Sequence, residues 1–250
     1  IVVTEMDHNS VLRPACLPGN YTVVKADKSG SVHAEDVEKA VRKDTKLIVC
    51  THASNMCGTI QPVYAIGRIA KKHKIPFLLD VAQTAGSINI DAEKMNADMI
   101  AFPGHKGLMG PLGTGGLYVK SPEELAPLVT GGTGSNSESV SQPEFMPDKF
   151  HSGTMNTPAI KALGAGVKYV MKYGVDVIGK HEKMLSEKFK ENLMNMDNVT
   201  VYGNDNSVAT VAFNVANLGS EEVFEMLKGK AAVRAGYHCA PLAHRAIGTS

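Results

Sequence analysis

Short runs of apolar, largely β-branched residues recur through the first half of the chain, and they are apolar on both faces. Residues 1–4, 21–25, 46–50, 77–79, 99–102 and 116–119 read as strands, with amphipathic helices at 34–42 and 63–74 between them. A strand without polar alternation has no face to present to water. The pattern therefore predicts an α/β fold, a mostly parallel sheet covered on both sides by helices. Sheets of this kind gather ligands at the carboxyl ends of their strands, so chemistry is expected just after each run.

The pattern changes after residue 130. A stretch rich in Gly, Ser and Pro, 131–147, reads as a long loop with a functional role. Beyond it come helices near 159–172 and 175–196, strands near 199–202 and 208–215, and a helix at 221–228. These predict a smaller α+β unit, so the expected division is a large domain over 1–158 and a small one over 159–250. The chain opens inside a strand pattern and stops after Ala246-Ile247-Gly248-Thr249-Ser250 with no closing element, so it is expected to be truncated at both ends, with weak or no cofactor affinity of its own.

Twenty-six basic and twenty-five acidic side chains leave a net charge of +1, which gives no field to draw nucleic acid or an anionic membrane. No apolar run approaches the roughly 20 residues a bilayer requires, and no signal peptide opens the chain, so a cytoplasmic protein is expected. Cys16, Cys50, Cys57 and Cys239 show no C-x-x-C spacing, which argues against a disulfide framework and a zinc ribbon. His238, Cys239 and His244 have no evident fourth ligand, so no metal site is expected.

Polar residues follow three successive strands. Asn55 follows 46–50, Asp80 and Gln83 follow 77–79, and His105 with Lys106 follows 99–102. Each alone has an ordinary explanation: a strand-end Asp caps helices, and a His-Lys pair sits on many surfaces. An amine and a carboxylate at neighbouring strand ends are, however, what pyridoxal phosphate requires, one to hold its aldehyde and one to keep its ring nitrogen protonated. The glycine-rich run at 104–116 lacks the residue order of a nucleotide-binding P-loop.

Five stretches carry a resemblance: Thr51-His52-Ala53-Ser54-Asn55, Leu79-Asp80-Val81-Ala82-Gln83, Gly104-His105-Lys106, Ser152-Gly153-Thr154-Met155-Asn156-Thr157 and Arg234-Ala235-Gly236-Tyr237-His238-Cys239-Ala240-Pro241. In this order the sequence resembles the class V aminotransferases of pyridoxal-phosphate fold type I, within them the cysteine desulfurases and selenocysteine lyases with a short R-x-G-x-H-C-A loop. The resemblance implies that His8 stacks on the cofactor ring and serves in catalysis, Asp80 pairs with the ring nitrogen, and Gln83 bonds the phenolic oxygen. Asn55 would lie near that oxygen and the substrate carboxylate, His105 would contact the phosphate, and Lys106 would hold the aldehyde. Thr154 matches a residue that reaches the phosphate of a neighbouring subunit, which implies a homodimer with shared sites. Pro103 stands where the family often has Ser.

The implied reaction removes sulfur from L-cysteine, giving L-alanine and a persulfide on Cys239 that passes to a sulfur-acceptor protein, as in iron–sulfur cluster assembly. His238 or Arg234 would help form the Cys239 thiolate, and Arg234 would suit the substrate carboxylate. Two other functions are weighed: a selenocysteine lyase or another class V enzyme, and a noncatalytic scaffold of the same fold. Retention of Lys106, Asp80 and Cys239 together argues against a scaffold.

Overall fold

The structure is a computed structural model that describes residues 1–249. In chain order its first elements are β1 (Val2–Thr4), α1 (Asn9–Cys16), β2 (Thr22–Val24), α2 (Ala34–Ala40), β3 (Ile48–Thr51), α3 (Val63–His73), β4 (Phe77–Asp80), β5 (Met99–Pro103) and β6 (Gly115–Val119). The six strands form one sheet in the order β2-β1-β3-β4-β5-β6. All neighbours are parallel except β5 and β6, which pair antiparallel.

The apolar runs are buried on both faces, as their lack of alternation requires. Along β1 and β3, Val2, Ile48 and Cys50 join a core with Val37 of α2 and Ile66 of α3. Their neighbours Val3 and Val49 point the other way, into a second core with Leu12 and Ala15 of α1. Successive side chains of a strand take opposite faces, so a helix is needed on each side. Between β1 and β3 the strand order reverses, which opens a crevice at the carboxyl edge.

The second half supplies α4 (Thr157–Tyr173), α5 (Val175–Met194), β7 (Val199–Tyr202), β8 (Ala212–Val215), α6 (Ser220–Leu227) and α7 (Pro241–Ile247). Strands β7 and β8 form their own antiparallel pair, and Phe189 of α5 meets Phe213 of β8 edge-on, 6.2 Å between centroids. This small sheet is tied to the large one near β3: Ile60 N–H donates to the Asn206 carbonyl at 2.9 Å, and Val208 N–H to that of Gly58 at 2.9 Å. That attachment explains why the strand expected over 208–215 shortens to Ala212–Val215.

Two helices escaped the sequence reading. Helix α1 has eight residues and a proline, Pro14, in its last turn, so its period is too short to register. Helix α7 was signalled by Pro241 at its first position and by Gly248, left-handed, after its end. Residues 131–147 are irregular, as expected. Among the described residues no helix is long and apolar enough to cross a membrane.

Phe77 begins the central strand β4 and is wholly buried. Phe77→Ala is expected to cost about 3–5 kcal/mol, measured by urea unfolding.

Candidate active site

Parallel register brings the strand ends to one level. Thr51 of β3 pairs with Asp80 of β4, and Asp80 with Ala101 of β5, so the turns that follow all open on the same edge. His8 follows β1, Asn55 follows β3, Asp80 and Gln83 sit at the end of β4, and His105 and Lys106 follow β5.

Two glycines set the spacing between the last two turns. A Cβ on Gly86 would collide with the Gly107 carbonyl, and a Cβ on Gly107 with the Ala85 carbonyl. Backbone therefore lies against backbone, which brings the turn bearing Gln83 against the turn bearing Lys106. Gly86 also holds φ +100°, which side chains on L residues rarely adopt.

His8 caps α1: its Nδ1 accepts from Ser10 N–H at 3.1 Å. That bond requires a lone pair on Nδ1, so the neutral ring carries its proton on Nε2. Burial and the nearby Lys106 charge lower its pKa, against the opposing pull of Asp80. The same three groups act on one another. Lys106 has its pKa lowered by desolvation, with Asp80 working the other way. Asp80 has its pKa raised by desolvation, opposed by the Ala82 N–H bond to Oδ1 at 2.8 Å and by Lys106 and His8.

A further carboxylate lies beneath these groups, and the sequence reading passed over it. Asp7 is fully buried and takes hydrogen bonds from Thr4 N–H at 2.6 Å, Thr4 Oγ1 at 3.0 Å and Thr51 N–H at 2.7 Å. It thus ties the end of β1 to the end of β3 across the crevice. Desolvation raises its pKa to about 7 in spite of those donors. His52 is also buried, its Nδ1 3.0 Å from Thr84 Oγ1, which links the β3 end to the turn that carries Gln83. Burial lowers the His52 pKa to about 4, so the ring is neutral. The available signals were a carboxylate beside the strand-end histidine and a hydroxyl beside Gln83.

Between the strand ends and the small sheet lies a cavity of about 930 Å³, with Asn55, Gln83 and Lys106 on one wall and Arg234, Tyr237 and His238 on another. Its size is that of a small-molecule site. The loop before α7 is drawn onto the strand ends: Asn55 Nδ2 donates to the His238 carbonyl at 2.7 Å, and Asn9 N–H to the Cys239 carbonyl at 2.8 Å. Cys239 is exposed, and Cys16, Cys50 and Cys57 are likewise free thiols. His238 has its pKa lowered by burial and by the charges of His244 and Arg234, and its ring stacks on His244 at 5.8 Å. The shift favours the uncharged form of the ring that precedes Cys239 in the chain. His105 and Thr154 are exposed, and among the described residues their side chains bond none of the other candidate groups.

The family model for class V aminotransferases matches residues 1–250. The chain belongs to the class V aminotransferase family. It is 36% identical over 96% of its length to a probable cysteine desulfurase of Methanothermobacter thermautotrophicus, and 32% identical, again over 96%, to a cysteine desulfurase of Salmonella agona. It spans 63% and 62% of those two relatives. Among solved structures, the apo cysteine desulfurase of Thermococcus onnurineus superposes with a TM-score of 0.89 at 30% identity, over 99% of this chain and 65% of that one. The class V fold here is fold type I, its central sheet mostly parallel and flanked by helices.

In this class V site two substitutions are informative. Asn at position 7 would set an NH₂ group against Thr4 N–H or Thr51 N–H, so Asp7→Asn is expected to cost about 1–3 kcal/mol. A carboxyl whose folded pKa is raised favours the fold below its unfolded pKa, and that advantage is lost as pH rises through about 7. The penalty is therefore largest near pH 4 and shrinks toward neutrality, read by urea unfolding across that range. Gly107→Ala is expected to cost about 1–3 kcal/mol by forcing the two turns apart, measured the same way.

Proposed function

We propose that this chain is the greater part of a pyridoxal-phosphate-dependent cysteine desulfurase acting on L-cysteine, with Cys239 as sulfur acceptor. One observation carries the reading: the loop bearing Cys239 is hydrogen-bonded to Asn9 and Asn55, at the strand ends that also present Lys106 and Asp80. An aminotransferase of the same fold has no use for a cysteine there. The similarity to cysteine desulfurases supports the same reading, as does a structural neighbour of 28% identity and TM-score 0.74 solved in complex with cysteine.

The residues fit the cofactor. Asp80 is poorly solvated, its Oδ1 takes one backbone bond, and its Oδ2 makes no hydrogen bond among the described residues, so it lacks a full counter-charge. A protonated ring nitrogen would supply one. When bound, pyridoxal phosphate contributes an aldehyde for the substrate amine and a ring that withdraws electrons. Lys106 would hold the aldehyde, and its lowered pKa favours the free amine that would take a proton from the substrate α-carbon. His8, with Nε2–H on the ring side away from its cap, would stack on the cofactor ring, and Gln83 and His105 would bond the phenolic oxygen and the phosphate.

Arg234 binds the substrate carboxylate at the cavity wall, and Asn55 presents its second amide hydrogen to the same group. His238, biased toward its uncharged form, accepts the Cys239 proton. The Cys239 sulfur attacks the substrate γ-sulfur, a sulfur–sulfur bond forms, and the carbon–sulfur bond breaks with its electron pair left on the β-carbon. One proton delivered to that carbon and the proton held by Lys106 returned to the α-carbon yield L-alanine, and the outer sulfur remains on Cys239 for a sulfur-acceptor protein. Thr154, on an exposed segment, serves the site of a second copy in a homodimer.

The test uses the full-length protein loaded with pyridoxal phosphate. Alanine should form from L-cysteine, with one persulfide appearing on Cys239. Cys239→Ser should abolish persulfide and lower turnover by at least about 10²-fold, and Lys106→Ala should remove the visible absorbance of the bound cofactor as well. Undiminished turnover in Cys239→Ser would overturn the reading.

A further inference from the structure

His238 and Cys239 both adopt positive φ, 48° and 57°, just after Gly236 at 88°. Two consecutive left-handed residues with side chains are strained, and such strain persists only where surrounding contacts enforce it. The contacts are specific. The His238 carbonyl takes the Asn55 amide at 2.7 Å, and the Cys239 carbonyl takes Asn9 N–H at 2.8 Å. Asn9 is the first residue of α1, directly after the capping His8, so its N–H is one of the helix donors that has no partner within the helix. The carbonyls of both residues are thus held from the large sheet, one at the end of β3 and one at the start of α1.

We infer that Asn55 and the Asn9 backbone form a two-point clamp that seats the Cys239 loop on the cofactor site, making Asn55 a positioning residue for Cys239. An amide side chain has two hydrogens, and the clamp engages one. The other remains for an anion entering the cavity that Asn55 lines, so one side chain touches the loop and the incoming substrate together. The inference rests on the desulfurase reading for its consequence. The clamp itself is open to measurement without turnover.

Two variants of the full-length protein isolate it. Asn55→Asp keeps the side-chain shape and removes the N–H donor. Asn9→Pro deletes the second donor while leaving α1 intact, because proline is favoured at a first helical position and His8 already holds ψ 157°, which a following proline accepts. Hydrogen exchange in the resting protein, followed by mass spectrometry, should quicken roughly two- to tenfold for peptides over 236–243 in both variants, the range one ordinary hydrogen bond implies. Peptides over β4 should stay unchanged. Asn55→Asp should also lower kcat for cysteine and slow the first persulfide transfer to Cys239, and Asn9→Pro, which leaves the proposed substrate contacts in place, should lower kcat without raising KM. Unchanged exchange in 236–243, or an effect on KM alone in both variants, would overturn the clamp. Exchange that quickens in a protein that forms no alanine would leave the clamp standing and remove the desulfurase reading.

Discussion

In a parallel sheet every strand ends on the same edge, and the pairings of Thr51 with Asp80 and of Asp80 with Ala101 hold three of those ends at one level. The segments beyond them all start from that edge, so side chains far apart in sequence meet at the crevice. The site is thus a consequence of strand direction. Reversing β4 would carry Asp80 to the opposite edge, out of reach of Lys106. Within this six-stranded sheet β6 alone runs antiparallel, at the margin, where it closes the sheet without adding a strand end to the site.

What holds the ends together is polar, and it lies under the site rather than in it. Asp7 draws Thr4 and Thr51 toward one carboxylate, at the point where the strand order reverses and no adjacent loop would otherwise span the gap. His52 and Thr84 do the same one strand further on. Both bonds are buried, where an unpaired group is costly, so each fixes its turn in a single arrangement. The close backbone contact of Gly86 with Gly107 completes the row. The chain thereby grips four strand-end turns by three different devices.

How much of this the sequence made legible follows from the range of each signal. Strands β1 to β6 stood out because burial on both faces leaves a local mark, a run of apolar residues with no alternation. Lys106, Asp80 and Asn55 stood out because each follows such a run. Helix α1 did not, since eight residues with Pro14 among them give too few turns for a period. Asp7 was overlooked for the opposite reason: its partners are 3 and 44 residues away, and the second distance leaves no trace in the local pattern. The bond from Asn55 to His238 spans 183 residues and joins a side chain to a carbonyl, which every residue possesses, so sequence spacing carries no sign of it.

Lys106 and Asp80 show how a site prepares for a charged ligand before one arrives. Burial shifts the two in opposite senses, lowering the lysine and raising the aspartate, so that each is pushed toward its neutral form. Their mutual attraction works against both shifts without cancelling either. A pair in full salt-bridge contact would have held both charges. Without such contact, and with His8 likewise pushed toward its uncharged form, the amine is nearer to giving up its proton and the carboxylate lacks a complete counter-ion. A ligand that brings a cation to Asp80 and engages the amine of Lys106 relieves both deficits at once, and neither a simple anion nor a simple cation does so.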